Sequence, residues 1–451
     1  MISIIYLSLK IERKAILKRE ISFGQALATV VGTVIGGGVF FKIGSISHET
    51  GTPSLTLFVW ILAGIVSIAS GLTVSEIAAA LPVTGGSIKY IEYTYGKVWG
   101  FLFGWAQMLV YFPANIAALS VVFGQQFVVL FGIPTKYATL VALLLALFLM
   151  GLNLISTKFS TKMQSAMTIL KTIPIALIVL FGLFNSSKVA VNLLPLSSGH
   201  NISFWTGLSG GLLAALFAYD GWINVTNLAG EVKDPEKNLS RAIIIGLSAI
   251  TLIYVLVNYA FLTTIPFKEI IGNQNTAYLA SLKLFGSLGG KLITIGILIS
   301  VYGAINGFML TGMRIPYTLA KDKMLPFSHK IGRTNVNTGV PTISALIILG
   351  VSLIMILLGT FDLLTNMLVF VMWTFTTLIS IAVVILRYRE PKLNRPYVVP
   401  WYPIIPIVSI GGGLFIVIST IINEFWLSIT GIGLTVLGLP VYYYMKKHSN
   451  N

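Results

Sequence analysis

A run of three glycines near the start of the chain is a pattern that could bind a small anion. Gly36, Gly37 and Gly38 follow Thr33 within an apolar stretch. Glycine is a poor helix former, so three in succession favour a break that leaves backbone N–H groups without partners. Such groups, at the positive dipole end of the next half-helix, suit a carboxylate. The alternative is close helix packing, for which Gly32 and Gly36 have the usual spacing.

A second apolar stretch carries the residues Phe217, Ala218, Tyr219, Asp220 and Gly221 in succession. Aspartate and glycine together in such a stretch favour a break over a continuous helix. Each break alone is a weak signal. Two interrupted helices at matching positions in two halves of a chain indicate an inverted repeat with a binding site at the membrane midplane.

The two breaks together offer complementary chemistry. The carbonyl groups that end the preceding half-helices, at Thr33 and Val34 and at Phe217 and Ala218, suit an ammonium group. A carboxylate receptor beside an ammonium receptor matches the two ends of an α-amino acid. We therefore predict that these residues bind such a substrate, with Tyr219 either bounding its side chain or lying on a helix interface.

Further polar residues occur within the apolar stretches, where ionisable groups are rare and usually functional. Lys171 either forms a structural ion pair with Asp220 or Glu76, or it supports the first break. An unpaired Asp220 could instead carry a proton. Tyr254 either hydrogen-bonds across the core or is a packed aromatic residue, and Asn306 supplies an amide near the site or a helix-packing hydrogen bond.

The composition excludes a soluble globule. Of 451 residues, 56% are hydrophobic and only 10% are charged, whereas soluble domains carry about a quarter charged residues. Cysteine is absent, which rules out thiolate metal sites, and the four histidines have no ligand spacing. Phosphate-loop and zinc motifs are also missing from the sequence. An all-α membrane protein without a cofactor or a metal is expected, and neither a channel nor an embedded enzyme is favoured.

Stretches of about 20 apolar residues, the length needed to span a bilayer, predict twelve transmembrane helices. The predicted spans are 23–47, 54–80, 97–131, 137–155, 162–184, 205–231, 240–264, 288–319, 341–359, 362–387, 402–422 and 425–445. With the N-terminus inside, most of the 30 Lys and Arg residues fall in the inner loops, and Lys42 is among the few on the outer side. Both termini are therefore predicted to be cytoplasmic, in a multi-pass protein of the plasma (inner) membrane.

Several segments resemble a known family, the amino acid–polyamine–organocation superfamily, and within it the L-type amino acid transporters. The resemblance rests on residues 32–40, 217–222 and 230–239, and on the shorter stretches 82–86 and 396–400. It covers nearly the whole chain and is closest to bacterial serine/threonine and alanine–serine–cysteine exchangers.

The resemblance implies the fold of the bacterial leucine transporter, with a five-plus-five inverted repeat and two further helices. The chain would then divide into a cytoplasmic tail (1–22), a transport core (23–387) and a last helix pair (388–451). The core would contain a first repeat (23–184) and a second repeat (205–387).

The resemblance also implies a function: sodium-independent exchange of small neutral L-amino acids, such as Ala, Ser, Thr or Cys, by alternating access. Lys171 would then stand where sodium-driven relatives bind sodium, bridging the unwound part of span 1 to span 8. A proton-coupled symporter of the same fold is the alternative. No nucleic acid is expected as a partner.

Two features depart from the family's usual pattern. Gly37 stands where relatives often carry serine, which removes one hydroxyl from the expected carboxylate site. Animal members join a partner glycoprotein through a cysteine, and this chain has none. A carrier without a disulfide-linked partner subunit is therefore expected.

Overall fold

The computed structural model describes most of the chain, in segments that include both predicted breaks. The described residues are 21–81, 86–155, 167, 170–184, 189–228, 232–336 and 338–448. The predicted tail lies almost wholly outside them, as do Glu231, residues 82–85 of one motif and much of the start of the predicted fifth span.

The described residues are almost entirely helical. In the first half, the helices are α1 (Phe23–Val34), α2 (Gly38–Thr50), α3 (Pro53–Ala80), α4 (Gly86–Tyr95), α5 (Lys97–Ala106), α6 (Phe112–Phe131), α7 (Ala138–Ile155) and α8 (Thr172–Phe184). A π-helix, Gln107–Tyr111, joins α5 to α6, and a 3₁₀ turn, Thr135–Tyr137, precedes α7.

The second half of the described chain is also almost entirely helical. Its helices are α9 (Phe204–Ala218), α10 (Pro235–Thr264), α11 (Phe267–Ile270), α12 (Thr276–Gly312), α13 (Arg314–Lys321), α14 (Ser328–Ile331), α15 (Thr342–Leu358), α16 (Phe361–Arg389), α17 (Ile404–Asn423), α18 (Phe425–Val436) and α19 (Gly438–His448). A 3₁₀ helix, Trp222–Leu228, follows α9. No strand occurs among the described residues beyond an isolated bridge between Ile21 and Val232.

Helix starts follow local sequence signals. Ser22 and Gln25 form a capping box at α1, in which each side chain bonds to the backbone of the other. The Thr52 hydroxyl accepts from the N–H of Leu55 at α3, and Thr360 does the same at α16. These caps satisfy N–H groups that the first helical turn leaves without acceptors.

The described residues include eight helices long and apolar enough to cross a membrane, and each overlaps a predicted span. Seven have nearly the predicted bounds, whereas Thr276–Lys321 begins twelve residues before the predicted 288–319. The bent pair α1 and α2 is a ninth candidate. The shorter apolar helices α8, α9 and α15 lie within the predicted spans 5, 6 and 9. The total of twelve remains a prediction, because these three helices are shorter than a bilayer requires.

Large apolar side chains cover the outside of the helix bundle. Phe184, Trp426 and Leu288 are 83%, 80% and 74% exposed, respectively. Soluble proteins rarely expose contiguous apolar surface of this kind, whereas lipid tails solvate it. The exterior thus fits the apolar composition of the chain.

The interrupted helices lie inside this bundle. Helix α2 packs extensively on α9, and α1 packs on α10. Helix α10 in turn packs along α3, and α12 packs along α6. The two predicted breaks are therefore surrounded by other helices, which is the setting in which non-helical backbone is tolerated at membrane depth.

Candidate functional site

The first break lies at the glycine run. Helix α1 ends at Val34, α2 begins at Gly38, and their axes differ by 46°. The Gly37 carbonyl accepts the N–H groups of Phe40 and Phe41, so Gly37 caps the new helix. The N–H groups that open α2 have no acceptor within that helix and mark its positive dipole end. This end is chemically suited to a carboxylate.

The second break follows Ala218, where α9 ends. Gly221 adopts φ +103°, a conformation that side chains rarely permit. The chain then continues as the short 3₁₀ helix from Trp222. Glycine at this position allows the chain to turn sharply and leaves the carbonyl end of α9 outside a continuous helix.

The two breaks are in direct contact. A Cβ atom placed on Gly38 would lie 2.6 Å from the Cα of Ala218, so only glycine allows this approach. A Cβ on Gly221 would lie 2.9 Å from the carbonyl oxygen of Thr33. The Thr33 hydroxyl lies 3.2 Å from the Gly221 carbonyl oxygen, in position to donate to it. The glycines therefore bring two irregular backbone segments together.

Tyr254 connects the two breaks from α10. Its buried hydroxyl lies 3.0 Å from the carbonyl oxygen of Val34 and 3.0 Å from that of Ala218. Val34 and Ala218 are the last residues of α1 and α9, so their carbonyls accept no hydrogen bond within their own helices. Both predicted features of Tyr254 are present: its hydroxyl bonds across the core, and its ring packs against Trp60 and Tyr219.

Lys171 contacts the first break from just before α8. Its ammonium group donates to the carbonyl oxygens of Gly32 and Ile35, and the residue is only 4% exposed. The alternative of an ion pair with Asp220 or Glu76 is not what the structure shows. Instead, the ammonium group binds two carbonyls at the carboxyl end of α1, and only that of Ile35 lies beyond the last helical residue.

Asp220 has a partner that the sequence did not suggest. The Tyr111 hydroxyl donates a 2.7 Å hydrogen bond to its carboxylate. Tyr111 ends the π-helix between α5 and α6, and such insertions often occur at functional sites. The sequence around Tyr111 has no feature that marks it, because a π-helix depends on one inserted residue and not on a composition signal.

The side chains of three predicted site residues form contacts with other helices. The Tyr219 hydroxyl donates to the carbonyl of Trp60 on α3, which is the helix-interface alternative. The Phe217 ring packs edge-on against Phe361 on α16. The Asn306 amide accepts a 2.9 Å hydrogen bond from Asn153 on α7. For Phe217 and Tyr219, the backbone lies at the break while the side chain supports the surrounding fold.

A cavity of about 190 Å³ opens beside the first break. Its lining residues come from α1, from the 3₁₀ helix after α9 and from α12: Gly32, Thr33, Asn224, Ala304, Gly307, Phe308, Leu310 and Thr311. A Cβ on Gly36 would lie 3.8 Å from Ala304, so α12 closes over the glycine run at ordinary contact distance. The predicted site thus borders a space large enough for several water molecules or a small solute.

Gly37 faces α6. A Cβ atom there would lie 3.0 Å from a methyl group of Leu119 and 3.3 Å from the ring of Phe41. A serine at this position would require both neighbours to move slightly. Leu119 therefore fills the space beside Gly37 and explains how glycine is accommodated at this position.

Comparison of the sequence with known proteins assigns the chain to a family. The model of the amino acid permease family matches residues 21–444, which span both breaks and the cavity. The chain is an amino acid permease. Its resemblance to bacterial serine/threonine exchangers and L-type transporters is thereby confirmed.

The relatives that match this permease are named as transporters or exchangers. It is 40% identical to the serine/threonine exchanger SteT of Bacillus subtilis (strain 168), over 96% of this chain and 98% of that protein. It is 28% identical to the cystine/glutamate transporter of Homo sapiens, over 96% and 86% of the two chains. It is also 28% identical to Asc-type amino acid transporter 1 of Mus musculus, over 95% and 81%. The permease is a multi-pass membrane transporter.

Lys42 and Glu76 form ion pairs with partners that the sequence did not identify. Lys42, assigned to the outer side by the charge count, is fully buried within α2 and pairs with Asp362. Glu76 accepts from Nε and Nη2 of Arg387, and the N–H of Val399 donates to it over 2.8 Å. Each pair joins residues more than 300 positions apart, which a local pattern does not reveal.

Proposed function

We propose that this permease exchanges small neutral L-amino acids of the Ser, Thr, Ala or Cys type, without sodium, by alternating access across the plasma membrane. The single observation that supports this most is the contact between the two breaks. The opening N–H groups of α2 and the closing carbonyls of α1 and α9 meet at Gly38 and Ala218. Opposite dipole ends in one place provide both halves of a receptor for a zwitterion.

The substrate carboxylate would bind at the N–H groups of Gly36, Gly37 and Gly38, which begin the second half-helix. Its ammonium group would bind at carbonyls of Thr33, Val34, Phe217 and Ala218. A carbonyl oxygen has two lone pairs, so the bond from Tyr254 leaves acceptor capacity at Val34 and Ala218. Asp220 and the backbone at Tyr219 complete the proposed site.

The proposed preference for small side chains rests on the space around the breaks. The adjoining cavity of about 190 Å³ is bordered by Phe308 and Leu310, and Leu119 closes the side at Gly37. Bulky side chains would have to displace these groups, whereas serine or alanine would not. The exchanger name of SteT agrees with this class.

Independence from sodium is supported by Lys171. Its ammonium group occupies the position between the carbonyls of Gly32 and Ile35. Carbonyl oxygens in an unwound helix are also the ligands that transporters offer to sodium. A lysine ammonium group bound there takes the place of a mobile cation, so exchange would not need sodium.

We propose the five-plus-five inverted repeat for 23–387, with Lys171, Tyr254 and Asn306 coupling the site to the surrounding helices. Both termini would face the cytoplasm, and the carrier would act without a disulfide-linked partner. Tyr254 links α10 to both breaks, and Asn306 links α12 to α7. These contacts are suited to transmitting movement of the broken helices.

Counterflow in proteoliposomes tests the proposal. Vesicles loaded with unlabelled serine should accumulate labelled serine without sodium and without a pH gradient, and empty vesicles should not. A panel of the twenty amino acids as internal substrates should show exchange with small neutral ones. Uptake into empty vesicles driven by a proton gradient would instead establish the symporter, with Asp220 as the first residue to test.

A further inference from the structure

The segment between α13 and α15, residues 321–336, is strongly basic. It contains one carboxylate, at Asp322, and four exposed cations: Lys321, Lys323, Lys330 and Arg333. The Asp322 carboxylate lies 3.5 Å from the ammonium group of Lys89 on α4, so its charge is already balanced by a residue outside the segment. The segment therefore presents an excess of positive charge to its surroundings.

Two large apolar side chains lie among these cations on the surface. Phe327 is 70% exposed and Val336 is 99% exposed. Leu325 and Ile331 of the same segment are buried, so the segment is packed on the helix bundle while only part of its apolar content faces outward. Exposed apolar side chains beside cations are typical of protein segments that lie at the surface of a membrane.

The backbone at two of these residues is unfavourable for the side chains that they carry. Lys323 and Phe327 have φ angles of +56° and +55°, in the left-handed region that favours glycine or asparagine. Hydrogen bonds hold this backbone: the Lys323 N–H donates to the Ala320 carbonyl, and the Phe327 carbonyl accepts the N–H groups of Lys330 and Ile331. Because the side chains of Lys323 and Phe327 are exposed, packing on the bundle does not explain why neither residue is glycine. A contact outside the chain would explain both.

The segment lies where the surface of a bilayer would meet the bundle. It follows the long apolar stretch Thr276–Lys321 and precedes the apolar helix α15. Ile343 and Leu346, in the first turns of α15, are exposed, so the lipid-facing surface begins within a few residues of the segment. The charge count predicts this side to be cytoplasmic, and the cytoplasmic leaflet is the one that carries anionic lipids.

We propose that residues 321–336 bind the headgroups of anionic phospholipids, with Lys323, Lys330 and Arg333 contacting phosphate and Phe327 inserting between the headgroups. Cations next to a membrane-spanning helix are attracted to an anionic leaflet, and a guanidinium group can donate two parallel hydrogen bonds to phosphate. A free phosphate ion or a soluble polyanion would contact the cations alone and leave Phe327 and Val336 in water. The lipid surface is therefore the partner that matches both the charge and the apolar side chains.

Stabilisation of the detergent-solubilised protein by added lipid measures this binding. The melting temperature is recorded against increasing phosphatidylglycerol, phosphatidylcholine or glycerol phosphate, which is the soluble headgroup. We expect phosphatidylglycerol to raise the melting temperature of the wild type to a plateau, and the concentration at half of this rise gives an apparent affinity. Phosphatidylcholine should need a concentration at least about tenfold higher, because its headgroup carries no net charge, and glycerol phosphate should have no effect.

A triple variant tests the cations. Substituting Lys323, Lys330 and Arg333 together by glutamine should weaken the apparent affinity for phosphatidylglycerol by about tenfold or more, since each such cation contributes about fivefold at an anionic surface. The matched control carries the same substitution at three exposed cations of other segments: Lys136, Lys268 and Lys291. The control loses the same net charge and should bind the lipid as the wild type does.

Phe327→Asn tests the apolar contact separately from the charge. Asparagine tolerates the left-handed backbone at this position, so the melting temperature without lipid should be unchanged or higher. The apparent affinity for phosphatidylglycerol should nevertheless fall by about threefold or more, because the ring no longer leaves water on binding. A lower melting temperature with unchanged lipid affinity would instead give Phe327 a role only in the fold and contradict the proposed insertion.

Equal lipid affinity of the triple variant and the wild type would overturn the proposal. An equal loss in the matched control would do so as well, because binding would then follow net charge and not this segment. Equal stabilisation by glycerol phosphate and phosphatidylglycerol would indicate a site for soluble anions and refute the lipid surface. The measurement requires no transport, so its result is independent of whether the proposed exchange is observed in counterflow.

Discussion

Gly38 and Ala218 bring the backbones of two interrupted helices into contact, at a separation that leaves no room for a Cβ atom on Gly38. This contact places the start of α2 beside the end of α9. It depends on the absence of a side chain at one residue, which makes it open to a direct test.

We predict that Gly38→Ala abolishes exchange without preventing membrane insertion. The added methyl group must push α2 away from Ala218, and displacements of about 1 Å at such sites cost on the order of a hundredfold in rate. Counterflow normalised to the amount of inserted protein measures the effect. Gly350→Ala, in open space on α15, should exchange normally. Normal exchange by Gly38→Ala would show that the close contact is not required.

Lys171→Ala should impair exchange far more than insertion. The substitution removes a buried ammonium that holds the carbonyls of Gly32 and Ile35. Hydrogen bonds to charged groups contribute about 1.5–3 kcal/mol, so a loss of tenfold or more in exchange is expected. Lys136→Ala, at an exposed cation before α7, is the control. Equal transport by mutant and wild type would contradict a role for Lys171 in exchange.

Tyr254→Phe should weaken substrate exchange moderately. Removing the hydroxyl leaves the carbonyls of Val34 and Ala218 without their shared donor. A neutral hydrogen bond contributes about 1 kcal/mol, which corresponds to roughly a fivefold change in apparent affinity. Tyr95→Phe removes a comparable hydroxyl, bonded to the Leu378 carbonyl away from the breaks. Equal effects of the two substitutions would indicate general stability loss and not a role at the site.

Arg387→Met should lower thermal stability with little effect specific to the substrate. Arg387 binds both carboxylate oxygens of Glu76, whose side chain is only 2% exposed. Losing a charged hydrogen-bond partner of a buried carboxylate costs about 1.5–3 kcal/mol, and Arg395 and the Val399 N–H compensate Glu76 only in part. The melting temperature in detergent should fall, whereas Arg241→Met, at an exposed position on α10, should not change it. An unchanged melting temperature would contradict the structural role of this pair.

The sequence predicted the positions of the long helices well, because apolar length is a direct signal. Helix α1 ends at Val34 and α2 begins at Gly38, at the three glycines on which the first predicted break rests. The chemistry of the exposed backbone followed from helix geometry alone.

Side-chain directions near the breaks were not predictable from the sequence. Residues 211–218 of α9 are all buried, so no polar face shows which way Phe217 points, and Tyr219 lies beyond the last helical residue. Tyr111 and Asp362 were missed as partners because each lies more than 100 residues from the group that it contacts. Such pairings depend on how helices distant in sequence pack together, so no local sequence pattern predicts them.

The Leu119 methyl group that faces Gly37 has a consequence for how this lineage can diverge. A serine at position 37 meets that methyl group at 3.0 Å and the Phe41 ring at 3.3 Å. Trimming residue 119 first opens room for the later hydroxyl, whereas the reverse order passes through a crowded intermediate. We therefore expect the substitution at residue 119 to precede the one at residue 37 during evolution. Reconstructed ancestors with serine at 37 should carry a residue smaller than leucine at 119.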